Sequence, residues 1–239
     1  VGPFLLALNT GSARWRAGET VFFDDWLGGD MTGTGVPRWL EWAREIQSLG
    51  QTGLVYSDND FDDQRYRRLV EIAAEIVHAK SGHDTGRLLE GFHEQTGYAT
   101  PKVDVRGAVV RGGEILLVQE RADGRWCMPG GWAEVGNHPS QVVVREVWEE
   151  SGLDVTPRKV IGVYDANRGG QPLSFYHACK IVFLCDLIGG EPRPSHETLD
   201  VRFFGFQDLP TLSTNRTDRR HLNEVLAHLQ DPSRPAAFD

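Results

Sequence analysis

Cysteine is scarce in this chain: Cys127, Cys179 and Cys185 are the only three in 239 residues, with no CxxC or Cys/His spacing. An odd, unpatterned set excludes a disulfide framework and a zinc site of the usual spacing, and it fits a reducing, cytoplasmic compartment. Basic residues are also in short supply. Lys and Arg total 25 against 34 Asp and Glu, a formal charge of −9. Such a surface repels phosphate backbones, which excludes a nucleic-acid coat protein, and no helix-turn-helix with a basic recognition helix is apparent. Long apolar runs are missing as well. Phe4 to Leu8 is too short for a signal-peptide core and has no basic residues before it, and no stretch approaches a membrane span. What remains is a soluble, cytosolic chain without nucleic-acid or membrane partners. A small anionic substrate fits if divalent metal supplies positive charge locally.

With 40% apolar and 25% charged residues the composition is that of a globular protein, and the length suits one or two domains. Residues 1–30 show no clear periodicity and many Gly, while Met31 offers an alternative start. They read either as a start-site artefact or as a mobile extension, dispensable for turnover. From Pro37, Trp39, Trp42, Ile46 and Leu49 recur at helical spacing. A second helix is expected from about Gln64 to Lys80, with Ser81-Gly82 as its stop, and a third near Asp84 to Glu94. These make a helical domain over 31–100, marginal alone; exposed Trp39, Trp42 or Tyr66 would need burial, which points to a homodimer through this domain.

After Pro101 the period changes to 2. Strands are expected at Val103 to Val110 and Ile115 to Gln119, joined by the hairpin signal Arg111-Gly112-Gly113. Others are expected at Val160 to Tyr164, Tyr176 to Leu187 and Val201 to Phe206, with a helix near Arg219 to Gln230. Strands and helices out of regular alternation indicate an α+β domain over 101–213, followed by a C-terminal helix and tail over 214–239.

The chemistry concentrates in Met128 to Leu153, MPGGWAEVGNHPSQVVVREVWEESGL. Pro139 near the first turn and Gly152 after the last bracket a helix of about thirteen residues. On it Glu146, Glu149 and Glu150 stand at i, i+3 and i+4, so three carboxylates share one face. Most Glu-rich faces are merely solvated. A hard divalent cation, however, takes oxygen ligands without Cys or His, neutralises a pyrophosphate and lowers the pKa of an attacking water.

The loop and helix together resemble the Nudix box, in which Gly is followed after five residues by Glu and after seven more by Arg-Glu-apolar-any-Glu-Glu-any-Gly-apolar. Gly131, Arg145, Glu146, Val147, Glu149, Glu150, Gly152 and Leu153 match in register. One position departs: the first Glu of the pattern is Asn137, with Glu134 three residues earlier. The likeness extends from about Trp39 to Leu212. It is carried by IQSLGQTGLVY (46–56), EQTGYATPKVD (94–104), GRWCMPGG before the box, and Val163-Tyr164-Asp165 after it. This extent resembles the Nudix subgroup with an N-terminal helical domain, the CDP-choline pyrophosphatase-like and ADP-ribose-hydrolysing proteins. In that subgroup the first box Glu is often missing.

The resemblance implies an α/β/α sandwich around a mixed sheet and an enzyme that cleaves the pyrophosphate of nucleoside diphosphate-X compounds to a nucleoside monophosphate and phosphorylated X. By carry-over Glu146, Glu149, Glu150 and the Gly130 carbonyl would hold Mg²⁺ or Mn²⁺, and Arg145 would orient a carboxylate. Glu197, before the Val201 strand, reads either as a further catalytic or metal-binding carboxylate or as a solvated loop acid. Asp165, Arg168 and His177 are candidates for substrate contact, with solvent-facing or structural roles as the alternative. Trp126, Trp132 and Tyr164 could stack a nucleobase, but core packing is the more ordinary role. The competing function is a catalytically weak Nudix-like nucleotide sensor, supported by Asn137 alone.

Overall fold

The computed structural model describes residues 22–23, 36–168 and 173–239. Apart from 22–23, the expectations for residues 1–30 and for a start at Met31 lie outside the described residues. The chain divides into two compact units. One runs to Pro101 and takes in residues 173–177 from far along the chain; the other comprises the described residues 102–168 and 178–239.

The first unit contains strand β1 (Phe22–Phe23) and helices α1 (Arg38–Tyr56), α2 (Asp60–Ser81) and α3 (Thr85–Glu94). Helix α1 continues seven residues beyond Leu49, through Gly50 and Gly53. Each interior glycine costs a helix roughly 1 kcal/mol relative to alanine. The cost is offset by close packing: a Cβ at Gly50 would stand 2.8 Å from the Tyr66 carbonyl oxygen, and one at Gly53 would stand 2.2 Å from the Tyr66 ring. Helix α2 begins at Asp60, four residues before the expected start at Gln64. Its Asn59 cap accepts the Asp62 N–H at 2.9 Å, and Asp60, Asp62 and Asp63 lie at the positive end of the helix dipole. Leu40, Ala43, Val70, Ala73, Ala74, Val77, Leu88 and Phe92 form the core. Trp39 is part of it, so the expectation that Trp39 is exposed is corrected; of the two tryptophans on α1, Trp42 alone faces outward.

The short strand β6 (Leu173–Ser174 in sequence after β5, below) pairs antiparallel with β1. Phe175 lies 4.6 Å from Phe92 between ring centroids, the Tyr176 hydroxyl donates to the Gly91 carbonyl at 3.1 Å, and Arg44 donates to the carbonyls of Ser174 and Phe175. The expected strand Tyr176 to Leu187 is therefore shortened at its start. The Tyr176 hydroxyl is bonded to a helix carbonyl and Arg44 has claimed the two carbonyls before it, and His177 is exposed and outside any strand.

The second unit holds β2 (Lys102–Arg111), β3 (Glu114–Glu120), β4 (Trp126–Cys127), α4 (Pro139–Ser151), β5 (Leu153–Asp165), β7 (Ala178–Gly190), β8 (Thr198–Gly205), α5 (Arg219–Gln230) and β9 (Ala237–Phe238). The sheet order is β4-β3-β2-β7-β5-β9, with β8 also on β3. Pairing is mixed: β2 and β7 are parallel, while β2/β3 and β5/β7 are antiparallel. Gly112 and Gly113 both have positive φ, which lets the β2–β3 hairpin turn in two residues. Alternate residues of the strands feed two cores. Val105, Leu116 and Val118 pack with Val142, Val143 and Val147 of α4; Ala108, Ile115 and Leu117 pack with Leu222 and Val225 of α5. The α+β expectation and the layered mixed sheet are thus observed. Strand β5 starts seven residues before Val160, because the polar stretch with Pro157 hides a strand whose register shifts around that proline. No described helix is long and apolar enough to cross a membrane.

Candidate active site

The glycine loop is laid against β2 by main-chain bonds. Val105 donates to the Gly131 carbonyl (2.9 Å), Gly107 to the Pro129 carbonyl (2.8 Å), and Ala133 donates back to the Val103 carbonyl (2.8 Å). Gly130 sits at φ +150°, and a Cβ there would fall 2.0 Å from the Val105 carbonyl oxygen, so only glycine allows this approach. Met128 is fixed at both ends: its N–H donates to Thr217 Oγ1 at 3.0 Å and its carbonyl accepts from Arg106 at 3.3 Å.

Helix α4 then delivers the carboxylates. Pro139 opens it, the Gln141 side chain accepts the His138 N–H at 3.3 Å, and Gly152 closes it in the left-handed region. Glu150 is buried and accepts the Gly130 N–H at 2.9 Å, tying the end of the helix to the loop. Glu146 lies under Gly131, where an added Cβ would meet its carboxylate at 2.9 Å. Burial holds the Glu146 carboxyl above the usual range, and burial with the neighbouring Glu120 charge holds Glu150 well above it. Arg145 bonds Glu146 at 3.1 Å and Glu134 at 3.0 Å, with Glu149 at 3.9 Å. Among the described residues no three His, Cys, Asp or Glu side chains converge tightly enough to cage a metal as they stand. Arg145 draws Glu146 and Glu149 to itself, and Glu150 turns to Gly130. The donor set nevertheless suits a hard divalent ion: buried carboxylate oxygens beside a loop with no side chain in the way.

Glu134, by bonding Arg145 and accepting from Asn137 Nδ2 at 3.3 Å, clips the loop onto α4. The loop is thereby held from Glu134, three residues upstream of the place where the box pattern has its first Glu. Asn137→Glu should accordingly change turnover by less than tenfold, under about 1.4 kcal/mol in barrier height. Steady-state rates of both proteins on one substrate check this; a hundredfold gain would show that Asn137 had been the disabling residue.

The structure brings together Gly130, Arg145, Glu146, Glu149 and Glu150. Glu197 stands just before β8, its carbonyl accepting the Arg121 N–H at 3.0 Å and its carboxylate 3.2 Å from the ring of His196. Asp165 accepts the Asn167 N–H at 2.9 Å within its own turn, and Arg168 pairs with Asp239 at 3.4 Å, both at the opposite end of β5 from α4. Trp126 packs edge-on to Phe204 and Tyr164 edge-on to His221, both in the core; Trp132 is half-buried beside Asp104.

Beneath the loop lies a charged layer that periodicity does not reveal. Arg106 forks onto Asp104 (2.9 and 3.2 Å), and Lys180 donates to the carbonyls of Asn215 and Arg216. Burial lowers the Lys180 ammonium to about 8. Arg216 reaches Glu120 at 3.4 Å and Asp123 at 3.4 Å. Charged residues at core-facing strand positions were the available signal.

Known proteins are similar to this chain over both of its units. Residues 37–92 match a family model described as a UDP-X-like, N-terminal oligomerisation domain, and residues 101–226 match the NUDIX domain. The Bacillus subtilis protein YjhB, provisionally named an ADP-ribose pyrophosphatase, is 37% identical over 84% of this chain and 97% of its own length. A crystal structure of a UDP-X diphosphatase is 29% identical with TM-score 0.55, covering 84% of this chain and 98% of the other. That of an ADP-ribose pyrophosphatase from Streptococcus suis is 37% identical with TM-score 0.53, covering 59% of this chain and all of the other.

Proposed function

The chain belongs to the NUDIX family, and we propose that it is a divalent-metal-dependent pyrophosphohydrolase that splits nucleoside diphosphate-X compounds into a nucleoside monophosphate and phosphorylated X. The observation that carries this reading is the buried carboxylate of Glu150 and the half-buried one of Glu146, both pressed against a loop that only glycine can form. ADP-ribose and CDP-choline are the substrate types first in line, and the UDP-X diphosphatase neighbour adds UDP-linked compounds.

Glu146, Glu149, Glu150 and the Gly130 carbonyl would hold Mg²⁺ or Mn²⁺. When bound, the ion supplies charge neutralisation for the pyrophosphate and a lowered pKa for the attacking water. The protein's own part is to prepare that place. Carboxylates kept in a dry setting gain from a dication far more than solvated ones do, and Arg145 screens them from one another while the ion is away. The Glu150 bond to Gly130 fixes loop and helix as one piece, so the reacting groups meet in a set geometry. Asp165, Arg168 and His177 stay candidates for substrate contact, and Glu197, just before β8, stays a candidate for a further catalytic carboxylate. A panel of ADP-ribose, CDP-choline and UDP-sugars, with Mg²⁺, Mn²⁺ or chelator and products read by chromatography, tests the proposal. Absence of metal-dependent turnover on every member would overturn it in favour of a sensor.

The helical unit is proposed to join two copies of the chain. On α1, Trp42, Leu49 and Tyr56 recur every seven residues and are 52%, 56% and 71% exposed, a stripe with the seam spacing of paired helices. The match of residues 37–92 to an N-terminal oligomerisation domain supports a second copy as its occupant. Trp42→Glu combined with Leu49→Arg should convert a dimer to a monomer by light scattering at micromolar concentration, with unchanged helix content by circular dichroism. A wild-type monomer, or a dimeric double variant, would count against this seam. Its three free thiols suit the cytoplasm.

A further inference from the structure

Strand β3 alternates cleanly until its last residue. Leu116 and Val118 face the core shared with α4, so the next residue on that face is Glu120, a carboxylate where the pattern calls for an apolar side chain. It is 8% exposed. The ladder to β8 slips there: Gln119 is opposite Asp200, but Glu120 is opposite Thr198, leaving Leu199 as an extra residue. Bulges of this kind re-aim side chains and recur beside active sites. Thr198 in turn donates its hydroxyl to the Glu150 carbonyl at 3.0 Å, so the strand partner of Glu120 is bonded directly to the last turn of α4.

The surroundings hold Glu120 by one oxygen. Cys127 Sγ donates to Oε1 at 3.1 Å, and Arg216 Nε stands 3.4 Å from the same atom. Arg216 comes from the segment before α5, anchored by Ser213 Oγ at 2.9 Å and Asp123, and its Nη2 is buried with no partner. With both donors on Oε1, the second oxygen of this buried carboxylate, Oε2, is left to accept from elsewhere, an incomplete polar arrangement. Three anchors from separate parts of the chain maintain it.

We infer that Glu120, re-aimed by the β3 bulge and charge-balanced by Arg216, is a further ligand of the divalent metal, joining the carboxylates of α4 from the sheet side. The inference rests on the proposed metal site and adds a residue outside the box. Glu197, one residue before the strand partner of Glu120 and with its carboxylate 3.2 Å from the ring of His196, is the comparison residue.

Mn²⁺ binding to the full chain, followed by electron paramagnetic resonance of free Mn²⁺ without substrate, tests it. Glu120→Gln keeps an acceptor for Cys127 and Arg216 and should weaken Mn²⁺ at least tenfold, whereas Glu197→Gln should stay within threefold of wild type. Should the Gln variant not fold, Glu120→Asp retains the charge but withdraws the carboxylate by one methylene, and the same tenfold loss is expected. A Glu120 variant that folds and binds Mn²⁺ within threefold of wild type overturns the inference. Glu150→Gln measured alongside separates the two failures: if it weakens Mn²⁺ and the Glu120 variant does not, the box site stands and only Glu120 is discarded. If neither weakens it, the metal site itself is wrong and the inference falls with it.

Discussion

Glu150→Gln should lose at least a thousandfold in turnover, about 4 kcal/mol of barrier, and become more heat-stable in metal-free buffer at neutral pH. The first half follows from its proposed place as a metal oxygen on the face shared with Glu146 and Glu149. The second half follows from burial. The Glu150 carboxylate is enclosed, and its proton affinity is raised by desolvation and by the charge of Glu120, so its ionised form costs folding free energy that a neutral amide does not. Gln keeps an oxygen for the Gly130 N–H, 2.9 Å away in the wild type. Activity falling while the melting temperature rises is the signature of a site held at the expense of stability. Retained turnover at saturating Mg²⁺ would remove Glu150 from the machinery, and inactivity with a lowered melting temperature would mean that the carboxylate acts as a fastener.

Gly130→Ala should have the largest effect on the fold. The intruding methyl would meet the Val105 carbonyl oxygen at 2.0 Å and the Arg106 Cα at 2.9 Å, both main chain of β2, which cannot swing aside as a flexible side chain does. Relief requires peeling the loop from the strand, with loss of the Val105–Gly131 and Gly107–Pro129 bonds and of the Glu150 contact. A loss of about 3 kcal/mol or more is expected, a drop on the order of 6–12 °C in melting temperature for a domain of this size, with activity falling below detection. Calorimetry beside the Gly136→Ala variant gives the contrast: Gly136 also has positive φ, but nothing lies within 4 Å of its added Cβ. Equal losses in the two variants would show that backbone conformation, and not the closeness of β2, sets the cost.

What could be read in the linear chain was what repeats or clusters locally. The three helices of the first unit, the β2–β3 hairpin and the thirteen-residue α4 all rest on nearby signals: periodic apolar residues, paired glycines, a proline and a glycine at the two ends. The carboxylate face of α4 was legible for the same reason, since i, i+3 and i+4 determine it without tertiary contacts. Long-range partners were hidden. Nothing near Glu120 announces Arg216, 96 positions later, as its cation. Nor does Asn137 reveal that Glu134 has taken over the clasp to Arg145. The first half of β5 was obscured by Pro157, and His177 was placed in a strand because the residues beside it are aromatic. They are aromatic for the helices they pack against.

That last point reaches into how the chain comes to be folded. Phe175 and Tyr176 complete the helical unit from beyond the glutamate helix, and Arg44 bonds the Phe175 carbonyl across a separation of 131 residues. During synthesis the amino-terminal helices leave the ribosome long before those residues exist. They must wait with the Phe92 face uncovered until most of the sheet has been translated. Contacts so distant along the chain make folding slower. They also make the finished helical unit a report on the rest of the chain: its core closes only once the polypeptide has been made past the glutamate helix.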